Sequence, residues 1–185
     1  MLRATELAHL LMRQSLKSGD WVVDATVGNG HDTLLLAKLV GPSGRVIGFD
    51  VQEAALAAAT ERVDGMPQVT LIHAGHEKLT EHLPVDGHER LAAVMFNLGY
   101  LPGASKEIMT RSETTLAALK QAFTHLKMHG LVTLVLYPGH PGGEEEAETV
   151  RSYAQQLPQT FAVTQHARIN TLRPAPELIV IERLS

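Results

Sequence analysis

Apolar residues in this chain gather into seven short runs that read as buried strands: Trp21–Ala25, Arg45–Phe49, Val69–His73, Leu91–Phe96, Leu131–Tyr137, Phe161–Ala167 and Glu177–Glu182. Between the earlier runs the spacing turns helical. Thr33 to Val40 carries Leu34, Leu35 and Leu36 with Ala37, and the alanine-rich segment Glu53 to Val63 sets Leu56, Ala59 and Val63 on one face. After Thr110, Leu116, Leu119, Phe123 and Leu126 recur at helical spacing. Thr110 and Glu113 have the spacing of a capping box, and Gly130 is the expected stop of that helix. Glu144 to Leu157 reads as a further helix, with three glutamates at its electropositive N-terminal end.

Strand alternating with helix five times predicts a parallel sheet covered on both faces, the α/β class. The last two strands break the pattern. Only about ten residues separate them, Pro174 and Pro176 among these, which is too short for a crossover helix; they are expected to pair antiparallel. No internal repeat, linker or low-complexity segment interrupts the chain, so one domain over 1–185 is expected.

Composition narrows the function classes. The 185 residues suit one domain with a substantial core, and no apolar run reaches the ~18 residues of a membrane span. The N-terminus lacks a charged-then-apolar secretory pattern, and there are no cysteines, which removes disulfides and thiolate metal sites. A cytoplasmic location is the expectation. The net charge of −4 argues against strong nonspecific nucleic-acid binding, which is driven by counterion release. A local basic patch that grips one structured RNA stays open: Arg3, Arg13 and Lys17 lie near one end, and Lys106, Arg111, Arg168 and Arg173 in or near later loops. Ordinary solvated charge explains each of these singly.

The segment Asp24-Ala25-Thr26-Val27-Gly28-Asn29-Gly30-His31-Asp32-Thr33 joins the first strand to the first helix of the alternation, where doubly wound sheets bind ligands. Gly28 and Gly30 let the backbone turn tightly and approach a ligand. Asp24 can orient the loop or accept from an ammonium group. A dinucleotide site wants a third glycine and a pyrophosphate at the helix N-terminus; here Thr33 holds that position, and Asp32 would repel the pyrophosphate. S-adenosylmethionine has no phosphate and carries an ammonium and a sulfonium, so the acidic residues suit it. Asp50, ending the second strand, can accept both ribose hydroxyls of any adenosine cofactor, with Gln52 flanking the adenine. Gly75 and His76, after the third strand, are further candidates for the adenine; a surface or helix-capping histidine is the other reading of His76.

The fourth strand ends in Asn97-Leu98-Gly99-Tyr100-Leu101-Pro102. Asn97 and Tyr100 match the first and last positions of the D/N-P-P-Y/F motif of amino-group methyltransferases, while Leu98 and Gly99 replace both prolines. Asn97 can accept from an acceptor amine through its carbonyl, and Tyr100 can offer an aromatic platform to a planar base. A turn with a buried asparagine and a packing tyrosine would look the same.

With the D-A-T-V-G-N-G-H-D-T loop, N-L-G-Y-L-P-G, T-T-L-A-A-L from Thr114 to Leu119, and Y-P-G-H-P-G-G from Tyr137 to Gly143, the chain resembles the YtqB-type rRNA methylase family, the MnmM-like tRNA methyltransferases. The resemblance runs over nearly the whole chain. It departs at Ala104-Ser105, where Gly-Asp is expected, and at Ala175-Pro176, where a double proline is common. It implies a class I methyltransferase (Rossmann-like) fold, seven strands mostly parallel with one antiparallel near the C-terminus. It implies S-adenosyl-L-methionine as cofactor, held by Asp24, Thr26, Gly28, Asn29, Gly30, Asp32, Thr33, Asp50, Gln52, Gly75, His76 and Asn97. It implies methyl transfer to the aminomethyl group of 5-aminomethyl-2-thiouridine at the wobble position (34), with the tRNA anticodon loop as partner and Asn97 and Tyr100 at the acceptor. His140 can assist proton removal, or is simply fixed by its Pro-Gly-His-Pro turn. No H-E-x-x-H or clustered ligand spacing occurs, so no metal is expected. An rRNA or small-molecule amine acceptor, a noncatalytic adenosine- or NAD-binding module, and a homodimer all remain compatible with the sequence.

Overall fold

The structure, a computed structural model, describes residues 2–83, 89–99, 112–139 and 142–185. Its centre is a seven-stranded sheet built from β1 (Trp21–Asp24), β2 (Arg45–Asp50), β3 (Val69–His73), β4 (Leu91–Leu98), β5 (Leu126–Leu136), β6 (Phe161–His166) and β7 (Glu177–Arg183). The spatial order is β3-β2-β1-β4-β5-β7-β6. The first five strands pair in parallel, and β7 runs antiparallel to both β5 and β6, as the short proline-bearing connection requires. This is the expected seven-stranded arrangement.

Alternation along the central strands splits the apolar residues into two cores. Val23, Ile47, Val94, Val132 and Ile181 pack on one face with Leu119 and Ala122 of α5 (Ser112–His125) and Val150 of α6 (Gly143–Gln155). Val22, Val46, Ala93, Val135 and Val180 pack on the other with Leu36 and Val40 of α2 (His31–Val40) and with Ala8 and Met12 of α1 (Ala4–Ser15). α3 (Glu53–Arg62) buries Ala55 and Ala59, so its inner face is centred one position earlier than the Leu56 reading. A 3₁₀ turn (His76–Lys78) and the short α4 (Leu79–His82) follow β3.

Two expectations change. α1 was not foreseen, and it contributes directly to the site described below. Gly130 does not stop α5: the helix ends at His125, and β5 starts at once with Leu126. Pairing with β4 slips between Leu91 and Ala93, and His129 has a φ of 59°, so the strand bulges here. A Cβ on Gly130 would lie 2.7 Å from Leu126 Cγ and 2.8 Å from Lys127 O, so this glycine serves the bulge. Thr110 of the proposed capping box lies outside the described residues; Glu113 sits in the first turn of α5. On α6, Glu146 of the glutamate run is buried and accepts a hydrogen bond from Thr115 Oγ1 at 3.0 Å.

Leu119 is fully buried between α5 and the sheet. Leu119→Ala is expected to lower unfolding free energy by roughly 2–5 kcal/mol, read as a fall in the urea midpoint at unchanged m-value.

Candidate active site

The carboxyl ends of β1, β2 and β4 meet where the strand order reverses, and the 25–30 loop crosses that point. Backbone bonds stitch it to both neighbours: Ala25 N–H donates to Met95 O at 2.8 Å, and Val27 N–H to Phe49 O at 3.0 Å. Asp24 lies beneath the loop, 1% exposed. Its carboxylate accepts from Thr26 N–H at 3.1 Å and from Thr33 Oγ1 at 2.6 Å. Of its two sequence readings, loop orientation is the one this geometry carries. Thr33, where a dinucleotide site has its third glycine, is fully buried and spent on Asp24.

Asp50 accepts Gly28 N–H on Oδ2 at 2.8 Å and Gln52 N–H on Oδ1 at 2.9 Å, so it fixes the glycine turn and the start of α3. Asp50 is partly buried, and each of its oxygens has a second lone pair to offer a ligand hydroxyl. The Asn29 backbone carbonyl accepts from Arg62 Nε at 2.6 Å, which ties the glycine turn to α3. Gly30 has φ +77°, and a Cβ there would lie 2.8 Å from Ala59 Cα. Its constraint comes from the left-handed backbone and the close approach of α3, a different reason from ligand clearance.

Asn97, at the end of β4, is tied to the same loop: its N–H donates to Thr26 Oγ1 at 2.8 Å. Thr26 thus positions Asn97. The Asn97 amide also donates to Asp32 Oδ2 over 3.4 Å. Asp32 Oδ1 lies 2.6 Å from His9 Nε2 on α1. Tyr137, just past β5, joins this cluster. Burial and then the Asp32 charge raise its hydroxyl above the ordinary value, against a hydrogen bond with Asn97 and the charge of Arg3. His9 and Tyr137 are site residues that sequence reasoning missed. The Ala4, Leu7, Ala8, Leu11, Met12 spacing carried the signal for α1, but nothing local says that His9 lands on Asp32.

His76 is buried, with Nδ1 2.9 Å from Ala25 O and its ring edge-on to Phe96 at 5.6 Å. Burial lowers its pKa, which makes it a neutral imidazole donating from Nδ1. Nε2 then holds a buried lone pair with no hydrogen-bond partner among the described residues. Gly75 caps the 3₁₀ turn that presents His76. Tyr100 and His140, assigned to the acceptor and to proton removal, lie outside the described residues, as do Lys106 and Arg111. Arg168 and Arg173 are exposed in the β6–β7 connection.

The electrostatics favour a cation. Burial, then the neighbouring Asp32 carboxylate, push Asp24 from 3.8 up to about 7, with Asp50 adding to the effect against the hydrogen bonds from Thr33 and Thr26. None of the three carboxylates pairs with a lysine or arginine among the described residues. Acidic residues around a backbone-lined loop, together with an orphaned buried acceptor on His76, fit a cationic, adenosine-bearing group such as S-adenosylmethionine. They do not fit a pyrophosphate. Groups of three or more residues able to hold a metal are absent among the described residues.

Residues 46–182 match the family described as "Putative rRNA methylase". The chain belongs to that family. A crystal structure of an rRNA methylase of the same description from Clostridium thermocellum superposes with TM-score 0.94 at 39% identity, covering 100% of this chain and 99% of that one. A Streptococcus mutans protein described as a "putative methyltransferase", solved in complex with SAH, gives 0.88 at 34% identity over 100% and 99% of the two chains. Among curated proteins, the chloroplastic tRNA (mnm(5)s(2)U34)-methyltransferase of Arabidopsis thaliana is 44% identical over 167 residues. That match takes in 84% of this chain and 60% of the plant protein, so the chain spans about three fifths of that relative's length. The fold of this rRNA methylase family member is the class I S-adenosylmethionine-dependent methyltransferase fold.

Two outcomes follow from the loop. Gly30→Ala is expected to lose at least ~2 kcal/mol of stability, from the left-handed backbone together with the contact on α3, seen as an early thermal transition. Asp24 keeps its proton in the fold up to about 7, whereas the unfolded chain releases it near 3.8. Its contribution to stability therefore falls as pH rises between these values and is level above them. Asp24→Asn removes this dependence. The variant's urea midpoint, relative to the native protein's, is expected to climb between about pH 5 and pH 7.5.

Proposed function

We propose that this rRNA methylase family member is an S-adenosylmethionine-dependent N-methyltransferase acting on the aminomethyl group of 5-aminomethyl-2-thiouridine at tRNA position 34. The observation that carries the reading is Asn97. It stands at the carboxyl end of β4, fixed through Thr26 to the loop that would hold the cofactor, in a chain 44% identical to a tRNA (mnm(5)s(2)U34)-methyltransferase. In this reading Gly28, Gly30 and Asp50 hold the adenosine and His76 supports the adenine side. Asp24, Thr26 and Thr33 keep the loop in shape. When bound, the cofactor supplies a methyl group already activated by its sulfonium, so the protein's task is mainly to position and orient. Tyr100 as a stacking platform and His140 as an aid to proton removal are assigned on the sequence.

The substrate partner is the tRNA anticodon loop. No helix among the described residues is long and apolar enough to cross a membrane. We place the protein in the cytoplasm, a placement supported by its lack of cysteine. The plant relative is chloroplastic, so the compartment is decided by fractionation. A homodimer is decided by sedimentation. The family's description keeps rRNA as a second reading of the acceptor.

The deciding experiment is single-turnover methylation of tRNA bearing the aminomethyl group, beside unmodified tRNA and rRNA. Methylation is expected only of the first. Asn97→Ala is expected to slow it at least tenfold, about 1.4 kcal/mol, with affinity for S-adenosylhomocysteine held within about threefold. Equal transfer to unmodified tRNA, or to rRNA, would sink the assignment.

A further inference from the structure

Asp32 differs from the two carboxylates beside it. Asp24 is 1% exposed and sealed by Thr26 and Thr33, and both oxygens of Asp50 accept backbone N–H groups. Asp32 Oδ1 is held by His9 Nε2 at 2.6 Å, while among the described residues Oδ2 has only the long 3.4 Å contact from Asn97. That second oxygen is thus the least satisfied acceptor of the three, and it stands beside the residue assigned to the acceptor amine. The His9 side chain is 31% exposed and that of Asp32 11%, so the pair reaches from the interior to water.

An alkylamine comes to a neutral site as an ammonium, since such groups titrate near ~10 in water. It must shed one proton before its nitrogen has a lone pair to offer. We infer that Asp32 takes this proton and that His9, from the far N-terminal helix, is the positioning residue that holds Asp32 to the task. The inference rests on the amine-acceptor reading above. The N–H bond of the ammonium breaks, the proton passes to Asp32 Oδ2, and the electron pair stays on nitrogen for the incoming methyl. Held on Oδ1 by the imidazole, the carboxylate cannot swing its other oxygen away from Asn97. Released from His9, it is free to turn toward solvent.

The charged surroundings of the pair come from several elements. Asp24 ends β1 and Asp50 ends β2, and both feel or add to the same acidic field. Tyr137, past β5, feels Asp32 directly. At the start of α1, Arg3 is paired with Glu6 at 2.7 Å. On β7, Glu177 is committed to Arg151 and Gln165.

The test compares native protein, His9→Gln and Asp32→Asn, with His9→Asn in reserve should His9→Gln fail to show a native circular dichroism spectrum. In single turnover on aminomethyl-bearing tRNA, His9→Gln is expected to be at least tenfold slow near pH 7 and within about threefold of native near pH 9.5. At the higher pH a sizeable share of the amine arrives already neutral. Binding without cofactor gives an independent readout. Native protein is expected to prefer an aminomethyl-bearing anticodon stem-loop over the unmodified one by at least about fivefold near pH 7. Asp32→Asn abolishes that preference and His9→Gln reduces it, with S-adenosylhomocysteine affinity in His9→Gln within about threefold of native. A deficit of equal size at both pH values, or an unchanged rate and preference, overturns the role of His9. Native protein that leaves the aminomethyl group unmethylated overturns the amine reading, and the proton route with it.

Discussion

The arrangement of the site depends on one buried carboxylate. Asp24 closes β1 and takes its two hydrogen bonds from residues on either side of the glycine turn, Thr26 and Thr33. Through Thr33 it sets where α2 begins, and through Thr26 it reaches Asn97 on the neighbouring strand. Asp50 performs the matching task from β2 by holding Gly28. Three strand ends are thereby locked to one loop with no covalent link between them. Burying Asp24 is costly, as its raised pKa records. The cost is offset because the loop's own polar groups would otherwise be left unsatisfied at the centre of the sheet.

Much of this was legible in the chain. The strands of a parallel sheet covered on both faces must be apolar on both sides, so they stand out as continuous runs, and all seven were located within a few residues except the start of β5. That start was obscured by Gly130. Next to a helical pattern a glycine reads as a stop, whereas here it relieves a bulge inside a strand. The loop's importance was readable from its glycines and acids. The division of labour within it was not, because whether a threonine or aspartate faces a ligand or a neighbour depends on contacts across strands. The Thr26 and Thr33 hydroxyls went to the protein's own backbone and side chains.

The residues that sequence reasoning missed share a cause. His9 and Tyr137 reach Asp32 and Asn97 from α1 and from the end of β5, 23 and 40 positions away from the nearer partner. No local motif encodes such a meeting. It exists because α1 packs on the same face of the sheet as α2, through Ala8 and Met12 against Leu36 and Val135. The helix that covers this part of the core is also the support for a polar cluster at its rim.

The place of β7 has a consequence for the order of events during synthesis. β7 is made after β6 but lies between it and β5, pairing antiparallel with both. A growing chain that has made β6 therefore has no strand for it to join, and the flank of β5 stays open. Some ten further residues, prolines included, must appear before either can be satisfied. Until then a row of unpaired backbone groups on a very apolar strand faces outward, the kind of edge on which other chains dock. The exposed interval is brief because the connection is short, so its brevity protects the nascent chain as well as setting the strand direction.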